Sequence, residues 1–283
     1  MNKVINFGCR LNNFEGKKIE ELLPRQDKSI IVINSCAVTN ETERQVRQTI
    51  RKIKKQNPNS KLVLTGCAAQ ISPAKYNQME EVDYLIDNIN KLKPESWGND
   101  FIEKGNENFI DDIFNQVNDA SPTLQGESAG PRESLVIQQG CNHRCTFCII
   151  PFGRGNNRSF DPKFLINEVK RNVDNGVKEI VLTGVDISDY GSDFKNHYSM
   201  SHLIVDILNQ TSLERVRLSS IDCAEIDEDF DQVIQNPRVM PHLHLSIQSG
   251  DNMILKRMKR RHKSEDVKSF VRHCRNLRKE ITF

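Results

Sequence analysis

Short apolar runs rich in β-branched residues alternate with longer polar segments along most of this chain, and this alternation limits its fold more than any other feature of the sequence. In the first third the runs lie at residues 4–7, 30–33, 62–65 and 82–86. Residues 12–23 and 40–56 have the length and composition of helices, with Thr39 or Asn40 as a possible N-cap of the second. The pattern predicts βαβ units around a parallel sheet.

The same alternation returns after an interruption. Between about residues 97 and 132 the chain is rich in Asn, Asp, Glu, Gly, Ser and Pro, and strand-like runs follow at residues 135–139, 179–183, 216–220 and 242–248. This second series is typical of a β/α barrel or part of one. A chain of 283 residues has room for two cores. We therefore predict an N-terminal domain at 1–112, a linker at 113–130 and a second domain at 131–283.

Composition narrows the class of protein. Apolar residues make up 37% of the chain and charged residues 28%, a balance typical of folded globular proteins. No apolar stretch approaches the roughly 18 residues of a membrane span, and the N-terminal segment lacks the apolar core of a secretory signal. These features predict a cytoplasmic protein with no membrane partner. The net charge of +2 does not by itself indicate a nucleic-acid binder.

Eight cysteines in a reducing compartment favour metal or cluster ligation over disulfides. Cys141, Cys145 and Cys148, here called the loop cysteines, lie in the segment GCNHRCTFCIIP after a predicted strand. Three thiolates on one loop can hold three irons of a four-iron cluster and leave the fourth iron open for a substrate. The alternative is a zinc loop completed by His143 or a distant residue. Phe147 and the following Ile-Ile-Pro favour a buried cluster loop.

Three further cysteines follow three successive predicted strands. Cys9, Cys36 and Cys67, here called the strand-end cysteines, each come just after such a run. Because the carboxyl ends of parallel strands lie at one edge of a sheet, we predict that the three thiols converge. Each cysteine alone would be more typical of packing. Their recurrence at one topological place favours a shared site.

Two groups of basic residues are candidates for contact with RNA phosphates, although charge runs are equally typical of solvated helix faces. They are Arg44, Arg47, Arg51, Lys52, Lys54 and Lys55, and then Lys256, Arg257, Lys259, Arg260, Arg261 and Lys263. Cys223 and Cys274 lie outside both cysteine sets and are predicted to be inert buried thiols. His242 and His244 alternate with apolar residues, which favours a hydrogen-bonded pair inside the barrel over a metal site.

Four segments give the chain a resemblance to a known family. FGCRLN, INSCAVTN, TGCAAQ and GCNHRCTFCIIPFGRG together resemble the methylthiotransferase family of radical S-adenosylmethionine enzymes, collinearly across nearly the whole chain. Within that family the chain is most similar to the branch that modifies threonylcarbamoyladenosine beside the tRNA anticodon. The segments that carry this second similarity are RQVRQTIRK, GRGNNRS, LTGVD, RLSSID and HLHLSIQSGDNMILKRMKRRH.

The resemblance implies the fold, the cofactors and the reaction. It implies a flavodoxin-like N-terminal domain followed by a radical S-adenosylmethionine barrel. The loop cysteines would hold a [4Fe-4S] cluster whose open iron binds S-adenosylmethionine, the source of a 5'-deoxyadenosyl radical that removes hydrogen from C2 of the adenine ring. The strand-end cysteines would hold an auxiliary [4Fe-4S] cluster that carries the sulfur to be inserted. A second S-adenosylmethionine would donate the methyl group.

The family also implies a cofactor pocket and partners. The pocket should lie at the carboxyl ends of the barrel strands, where each candidate residue could equally cap a helix or permit a turn. The candidates are Thr183, Gly184, Asp186, Ser219, Ser220 and Gln248. The implied partners are the tRNA anticodon stem-loop and an electron donor such as a flavodoxin or ferredoxin.

The chain departs from the family at its C-terminal end. Family members continue through further barrel strands and end in a small RNA-binding β-barrel, and neither is found in this sequence. We therefore expect a C-terminally truncated chain with an incomplete barrel. Two alternatives to the tRNA enzyme stay open: an enzyme that methylthiolates an aspartate of a ribosomal protein, and an inactive iron-sulfur-binding fragment.

Overall fold

A computed structural model describes residues 2–24, 29–98, 110–115 and 130–283 of the chain. They belong to two compact units, Met1–Gly126 with Ile149–Gly155, and Glu127–Cys148 with Asn156–Phe283. Most of the predicted linker, residues 116–129, lies outside the described residues, so the domain boundaries stay a prediction. The short segment Ile149–Gly155 belongs to the first unit, although it follows the loop cysteines directly in the sequence.

The first unit is built on a parallel sheet. Its described strands are β1 Lys3–Asn6, β2 Ile30–Ser35, β3 Lys61–Gly66 and β4 Tyr84–Leu85, in the spatial order β1-β2-β3-β4. Its described α-helices are α1 Arg10–Leu22, α2 Asn40–Gln56, α3 Cys67–Ile71, α4 Pro73–Asn77 and α5 Ile150–Arg154. Short 3-10 helices lie at Asn90–Leu92, Pro94–Trp97 and Ile113–Asn115.

Helices cover both faces of this sheet, which explains why β2 is buried along its whole length. Val46 and Ile50 of α2 pack with Ile33 on one face. Ile19 of α1 packs with Val32 on the other face. Neighbouring residues of β2 therefore enter different cores, as the period of two in a strand requires.

Helix α2 has the bounds predicted from the sequence. It spans Asn40–Gln56, and the Thr39 hydroxyl accepts a hydrogen bond from the Thr42 amide at 3.1 Å. Acidic residues occupy its first turn and basic residues its last, which suits the helix dipole. The predicted helix and its cap are confirmed.

The second unit contains a further three-stranded parallel sheet, in which the strand at Glu179–Thr183 lies between those at Arg132–Val136 and Arg215–Leu218, and two small two-stranded sheets. Its strands are β5 Arg132–Val136, β6 Gln138–Gln139, β7 Arg158–Ser159, β8 Glu179–Thr183, β9 Arg215–Leu218, β10 Ser220–Ile221 and β11 His244–Leu245. Its α-helices are α6 Pro162–Asp174, α7 Met200–Gln210, α8 Phe230–Gln235, α9 Asn252–Arg257 and α10 Ser264–Leu277. A 3-10 helix lies at Ile187–Asp189. The predicted α/β class with parallel sheets in both halves is confirmed.

The run at residues 242–248 forms less strand than its alternation predicts. Only His244–Leu245 is paired as β11, while His242 makes an isolated bridge to Thr282. Gln248 has a φ of +66°, which ends the extended run. His242 and His244 flank the buried Leu243, but both are exposed and bond to Thr282 and Ser220, so the expected interior histidine pair is wrong.

None of the helices within the described ranges combines the length and the apolarity that a membrane span requires.

Candidate metal centres

The strand-end cysteines lie at the carboxyl edge of the first sheet, where the sequence pattern placed them. Sheet pairing aligns Ser35 with Gly66, so Cys36 and Cys67 are the first residues after two neighbouring strands. Cys9 follows β1 by three residues and caps α1. The convergence comes from the parallel register of adjacent strands, because the carboxyl ends of β1, β2 and β3 all face the same edge.

Close approach and burial define the surroundings of these thiols. Gly8 has a φ of +92°, and a Cβ there would lie 2.6 Å from Cys36 Sγ, so only glycine lets the backbone come this near. Cys36 and Cys67 are buried, whereas Cys9 is exposed. Burial raises the pKa of the Cys36 thiol, and the neighbouring Cys67 and Cys9 raise it further. Cys9 and Cys67 therefore both affect the ionisation of Cys36.

A buried ion cluster made of Glu15, Arg154 and Lys91 lies within the same unit. Glu15 Oε1 accepts a hydrogen bond from Arg154 Nη1 at 2.7 Å, and Glu15 Oε2 accepts one from Lys91 Nζ at 2.6 Å. Burial alone would raise the pKa of Glu15, but Arg154 and Lys91 outweigh it and lower this pKa to about 2. Glu15 is therefore ionised at neutral pH.

The ion cluster is linked to the backbone around the strand-end cysteines. Asn12 accepts a hydrogen bond from Arg154 at 2.5 Å and donates to the carbonyls of Phe7 and Ser35, just before Cys9 and Cys36. Next to Arg154, a Cβ on Gly153 would lie 3.1 Å from Cys67 Cβ. Helix α5 is thus part of the framework that holds these three cysteines.

The loop cysteines lie in the second unit, on a loop that is held by hydrogen bonds within the loop and to the end of helix α9. The Cys148 amide donates to the Cys145 carbonyl at 3.0 Å. The Arg144 guanidinium donates to the Cys141 carbonyl at 2.8 Å. The Thr146 amide and hydroxyl bond to backbone carbonyls at the end of α9. Phe147, expected to be buried, is 51% exposed, because the loop turns it away from the core.

Acidic groups surround Cys141. Asp186 Oδ2 lies 3.7 Å from Cys141 Sγ, and His143 Nε2 lies 3.3 Å from Asp186 and 2.8 Å from Glu225. Burial raises the pKa of Cys141 to about 12, with a contribution from Asp186. Hydrogen bonds to Asp186 and Glu225 raise the pKa of His143 to about 9, so His143 is a cation at neutral pH.

A second polar group lies beside Cys145. Arg260 Nη1 lies 3.8 Å from Cys145 Sγ, and Arg260 Nη2 donates to Asp222 at 2.7 Å. His262 Nδ1 lies 3.2 Å from the same Asp222 carboxylate. Arg261 pairs with Asp222 and also with Glu225. Two guanidinium groups and one imidazole therefore surround one buried carboxylate next to the loop.

Asp186 is the predicted cofactor residue that lies directly at the loop cysteines. Gln138 Oε1 accepts the amides of Val185 and Asp186 at 3.0 and 2.9 Å, which fixes the turn after β8. A Cβ on Gly184 would lie 2.9 Å from the Gln138 carbonyl, so glycine permits this close packing. These contacts explain how residues of the LTGVD segment reach Cys141.

The other predicted cofactor residues have structural contacts. Thr183 is buried and its hydroxyl donates to the Val181 carbonyl at 3.2 Å. The Ser219 amide donates to the backbone of β8, and the Ser220 hydroxyl bonds to His244 at 2.9 Å. Gln248 is exposed at its strained turn. Their roles toward a cofactor stay predictions.

The sequence could have indicated two further acidic residues. Asp222 follows β10 directly and Glu225 comes shortly after it, so the rule that selected Asp186 after β8 also applies to them. Arg154 had no comparable signal, because its partners Glu15 and Asn12 are 139 and 142 residues away.

Acidic partners pair with four of the six basic side chains in the first group and with two of the six in the second. In α2 the basic side chains pair with acids at 2.6 to 3.7 Å, in the pairs Arg44–Glu41, Arg47–Glu43, Arg51–Glu81 and Lys54–Asp83. In the second group Arg260 and Arg261 pair with Asp222, as described above. These pairs reduce the charge that either group can offer to RNA phosphates.

Of the cysteines outside both sets, Cys274 is fully buried, as predicted, whereas Cys223 is only half-buried. Burial raises the pKa of Cys223 to about 11, which keeps this thiol protonated and unreactive at neutral pH.

Each cysteine set suits a cluster better than a single ion. All eight cysteines are free thiols. Cys141, His143 and Asp186 do offer ligand atoms within 4.8 Å of one another, which is compact enough for one zinc ion. His143 Nε2, however, already lies 3.3 Å from Asp186 and 2.8 Å from Glu225, and binding zinc through this nitrogen would displace both contacts. Three thiols with nearby N–H donors match the protein side of a four-iron cluster.

Comparison with known proteins places this geometry in a family. The Radical SAM superfamily matches residues 135–283, and "Uncharacterized protein family UPF0004" matches residues 2–87. The threonylcarbamoyladenosine tRNA methylthiotransferase MtaB of Rickettsia prowazekii is 41% identical over 99% of this chain and 66% of its own length. The protein of the same name from Aquifex aeolicus is 34% identical over 93% of this chain and 67% of its own length.

The similar solved structures have the same kind of fold. The radical S-adenosylmethionine methyltransferase TsrM from Kitasatospora setae, with cobalamin and a [4Fe-4S] cluster bound, matches with a TM-score of 0.60. The match covers 94% of this chain and 59% of that one at 14% identity, so it concerns the fold alone. The chain thus spans about two thirds or less of the length of these relatives.

Proposed function

This chain belongs to the methylthiotransferase family of radical S-adenosylmethionine enzymes, and we propose that it inserts a methylthio group at C2 of threonylcarbamoyladenosine beside the tRNA anticodon. The observation that carries this proposal is the pair of cysteine triads, one at the strand ends of the first sheet and one on the loop whose Cys141 lies beside Asp186. The names of the similar tRNA methylthiotransferases support the substrate.

The loop cysteines would hold one [4Fe-4S] cluster and the strand-end cysteines a second. When bound, such a cluster with an open iron supplies a binding site for S-adenosylmethionine and the electron that cleaves its sulfonium bond. The protein contributes charge and orientation. The Asp186 carboxylate beside Cys141 suits the amino group of S-adenosylmethionine, and the Arg260 guanidinium beside Cys145 suits its carboxylate.

The partners follow from this chemistry. The substrate is the anticodon stem-loop of a tRNA, and the reaction requires a one-electron donor such as a flavodoxin or ferredoxin. The protein would act in the cytoplasm, where tRNA is modified.

The test is to express the chain in a bacterial strain that lacks its own threonylcarbamoyladenosine methylthiotransferase and to measure tRNA nucleosides by mass spectrometry. Methylthiolated threonylcarbamoyladenosine should appear with the parent chain and be absent with Cys141→Ala or Cys36→Ala. Cys274→Ala is the matched control, because Cys274 is a buried thiol on α10 outside both triads.

The other outcomes separate the alternatives. A methylthiolated aspartate in a ribosomal protein, with unchanged tRNA, would support the protein-modifying relative. Anaerobic reconstitution distinguishes the inactive fragment, because an enzyme of this family releases 5'-deoxyadenosine from S-adenosylmethionine under reducing conditions. A chain loaded with iron that releases none and modifies neither substrate refutes the proposal.

A further inference from the structure

The ion cluster of Glu15, Arg154 and Lys91 has an unbalanced charge. These residues are only 1%, 3% and 0% exposed, and one carboxylate with two cations leaves one net positive charge. Arg154 bonds to Glu15 and Asn12, and Lys91 to Glu15 and Asn34, so neither cation has a second carboxylate partner within the described residues. An uncompensated buried charge is costly, which points to a neighbouring anionic group.

The strand-end cysteines, which would be thiolates when they hold a cluster, lie close to this charge. Gly153, next to Arg154 in the chain, packs against Cys67, since a Cβ added to this glycine would lie 3.1 Å from Cys67 Cβ and 3.4 Å from Cys67 Sγ. Asn88, three residues before Lys91, places its side-chain nitrogen 3.7 Å from Cys67 Sγ. The net positive charge therefore acts on all three thiols from inside the first unit.

Arg154 is fixed in this position. Its guanidinium donates to both carboxylate oxygens of Glu15, at 2.7 and 2.9 Å, and to Asn12. Asn12 in turn bonds to the backbone just before Cys9 and Cys36. Because the charge cannot move away from the thiols without breaking these buried bonds, its electrostatic effect does not depend on a mobile side chain.

We propose that Arg154 raises the reduction potential of the iron-sulfur cluster held by the strand-end cysteines, an inference that rests on the proposed function. A cluster with three thiolate ligands becomes more negative when it accepts an electron. A buried cation stabilises that reduced form more than the oxidised form, because the attraction grows with the negative charge and is weakly screened in the interior.

The experiment measures the midpoint potential of this cluster alone. The background is the full chain carrying Cys141→Ala, Cys145→Ala and Cys148→Ala, reconstituted anaerobically and titrated with EPR detection. Arg154→Gln should shift the one-electron equilibrium at least tenfold toward the oxidised form, which is a decrease of about 59 mV. Arg154→Lys keeps the charge and should stay near the parent potential.

A double variant separates charge from packing. Glu15→Gln with Arg154→Gln removes one charge of each sign and leaves Lys91, so the net charge equals that of the parent. Its potential should return toward the parent value, whereas a packing defect caused by the loss of Arg154 would not be reversed. Arg51→Gln is the matched control, since Arg51 is a surface residue 3.7 Å from Glu81.

The outcomes distinguish this inference from the proposed function. If the background chain binds no iron, the strand-end cysteines hold no cluster and the two-cluster function fails. If it binds iron and Arg154→Gln leaves the potential unchanged, only the role of Arg154 is overturned. If Arg154→Gln prevents the chain from binding the cluster, Lys91→Met removes one positive charge from the same ion cluster and tests the same effect on the potential. A potential unchanged in that variant also overturns the inference.

Discussion

Cys141 Sγ lies 3.7 Å from Asp186 Oδ2, although 45 residues separate the two in the sequence. The turn after β8 brings them together, because Gln138 holds the amides of that turn. Burial and the nearby carboxylate raise the pKa of the thiol to about 12, so Cys141 is protonated at neutral pH until a metal displaces the proton.

Asp186→Asn should weaken the binding of S-adenosylmethionine without removing iron. A hydrogen bond to a charged group contributes about 1.5–3 kcal/mol, which corresponds to a loss of affinity of roughly tenfold or more. Equilibrium dialysis with reconstituted chain measures the dissociation constant, and iron analysis checks the cluster. Asp231→Asn is the control, because Asp231 pairs with His273 on the surface. Equal affinities in both variants would exclude a role for Asp186 in cofactor binding.

Removal of one cysteine triad should leave the cluster of the other. The reconstituted parent should bind about eight irons, and the variant with all three loop cysteines changed to Ala about four, as two cubanes require. Mössbauer spectroscopy with iron and sulfide analysis measures this. A variant without any iron would mean that the strand-end cysteines are packing residues, and the two-cluster proposal would then fail.

Acid should weaken the first unit through Glu15. Its pKa falls from 4.5 to about 2 on folding, so the ionised carboxylate stabilises the fold above pH 4.5, and this stability is lost as the pH falls toward 2. Denaturant unfolding of metal-free chain at pH 7, 5, 4 and 3 gives the free energy of unfolding. Glu15→Gln should be less stable than the parent at pH 7, and the difference should shrink below pH 4.5. A difference in the free energy of unfolding that stays the same at every pH would contradict the ionised state of Glu15.

Gly8→Ala should destabilise the chain more than Gly176→Ala. Both glycines have a positive φ, +92° and +88°, at which a Cβ costs about 1–2 kcal/mol. At Gly8 the added Cβ would also lie 2.6 Å from Cys36 Sγ, whereas at Gly176 it meets nothing within 4 Å. Denaturant unfolding measures both costs. Iron analysis should show loss of the strand-end cluster only in Gly8→Ala, and equal behaviour would mean that Cys36 can move aside.

Local features of the sequence were sufficient to predict most helices and strands and much of the candidate site. Helix α2 and its Thr39 cap could be predicted, because helix capping and the spacing of apolar residues depend on residues only a few positions apart in the sequence. The convergence of Cys9, Cys36 and Cys67 was also predictable, since parallel strands place their carboxyl ends at one edge. The same rule selected Asp186, which lies beside Cys141, and its role toward a cofactor stays a prediction.

Tertiary structure alone decided the electrostatics of both centres. Residues 150–154 belong to the first unit because Arg154 bonds to Glu15, a partner 139 residues away that no local pattern marks. Tertiary contacts also paired Arg51 and Lys54 of α2 with acids outside the helix. Periodicity depends on neighbours along the chain and can be read from the sequence, whereas the partner of a buried charge depends on which distant segments pack together.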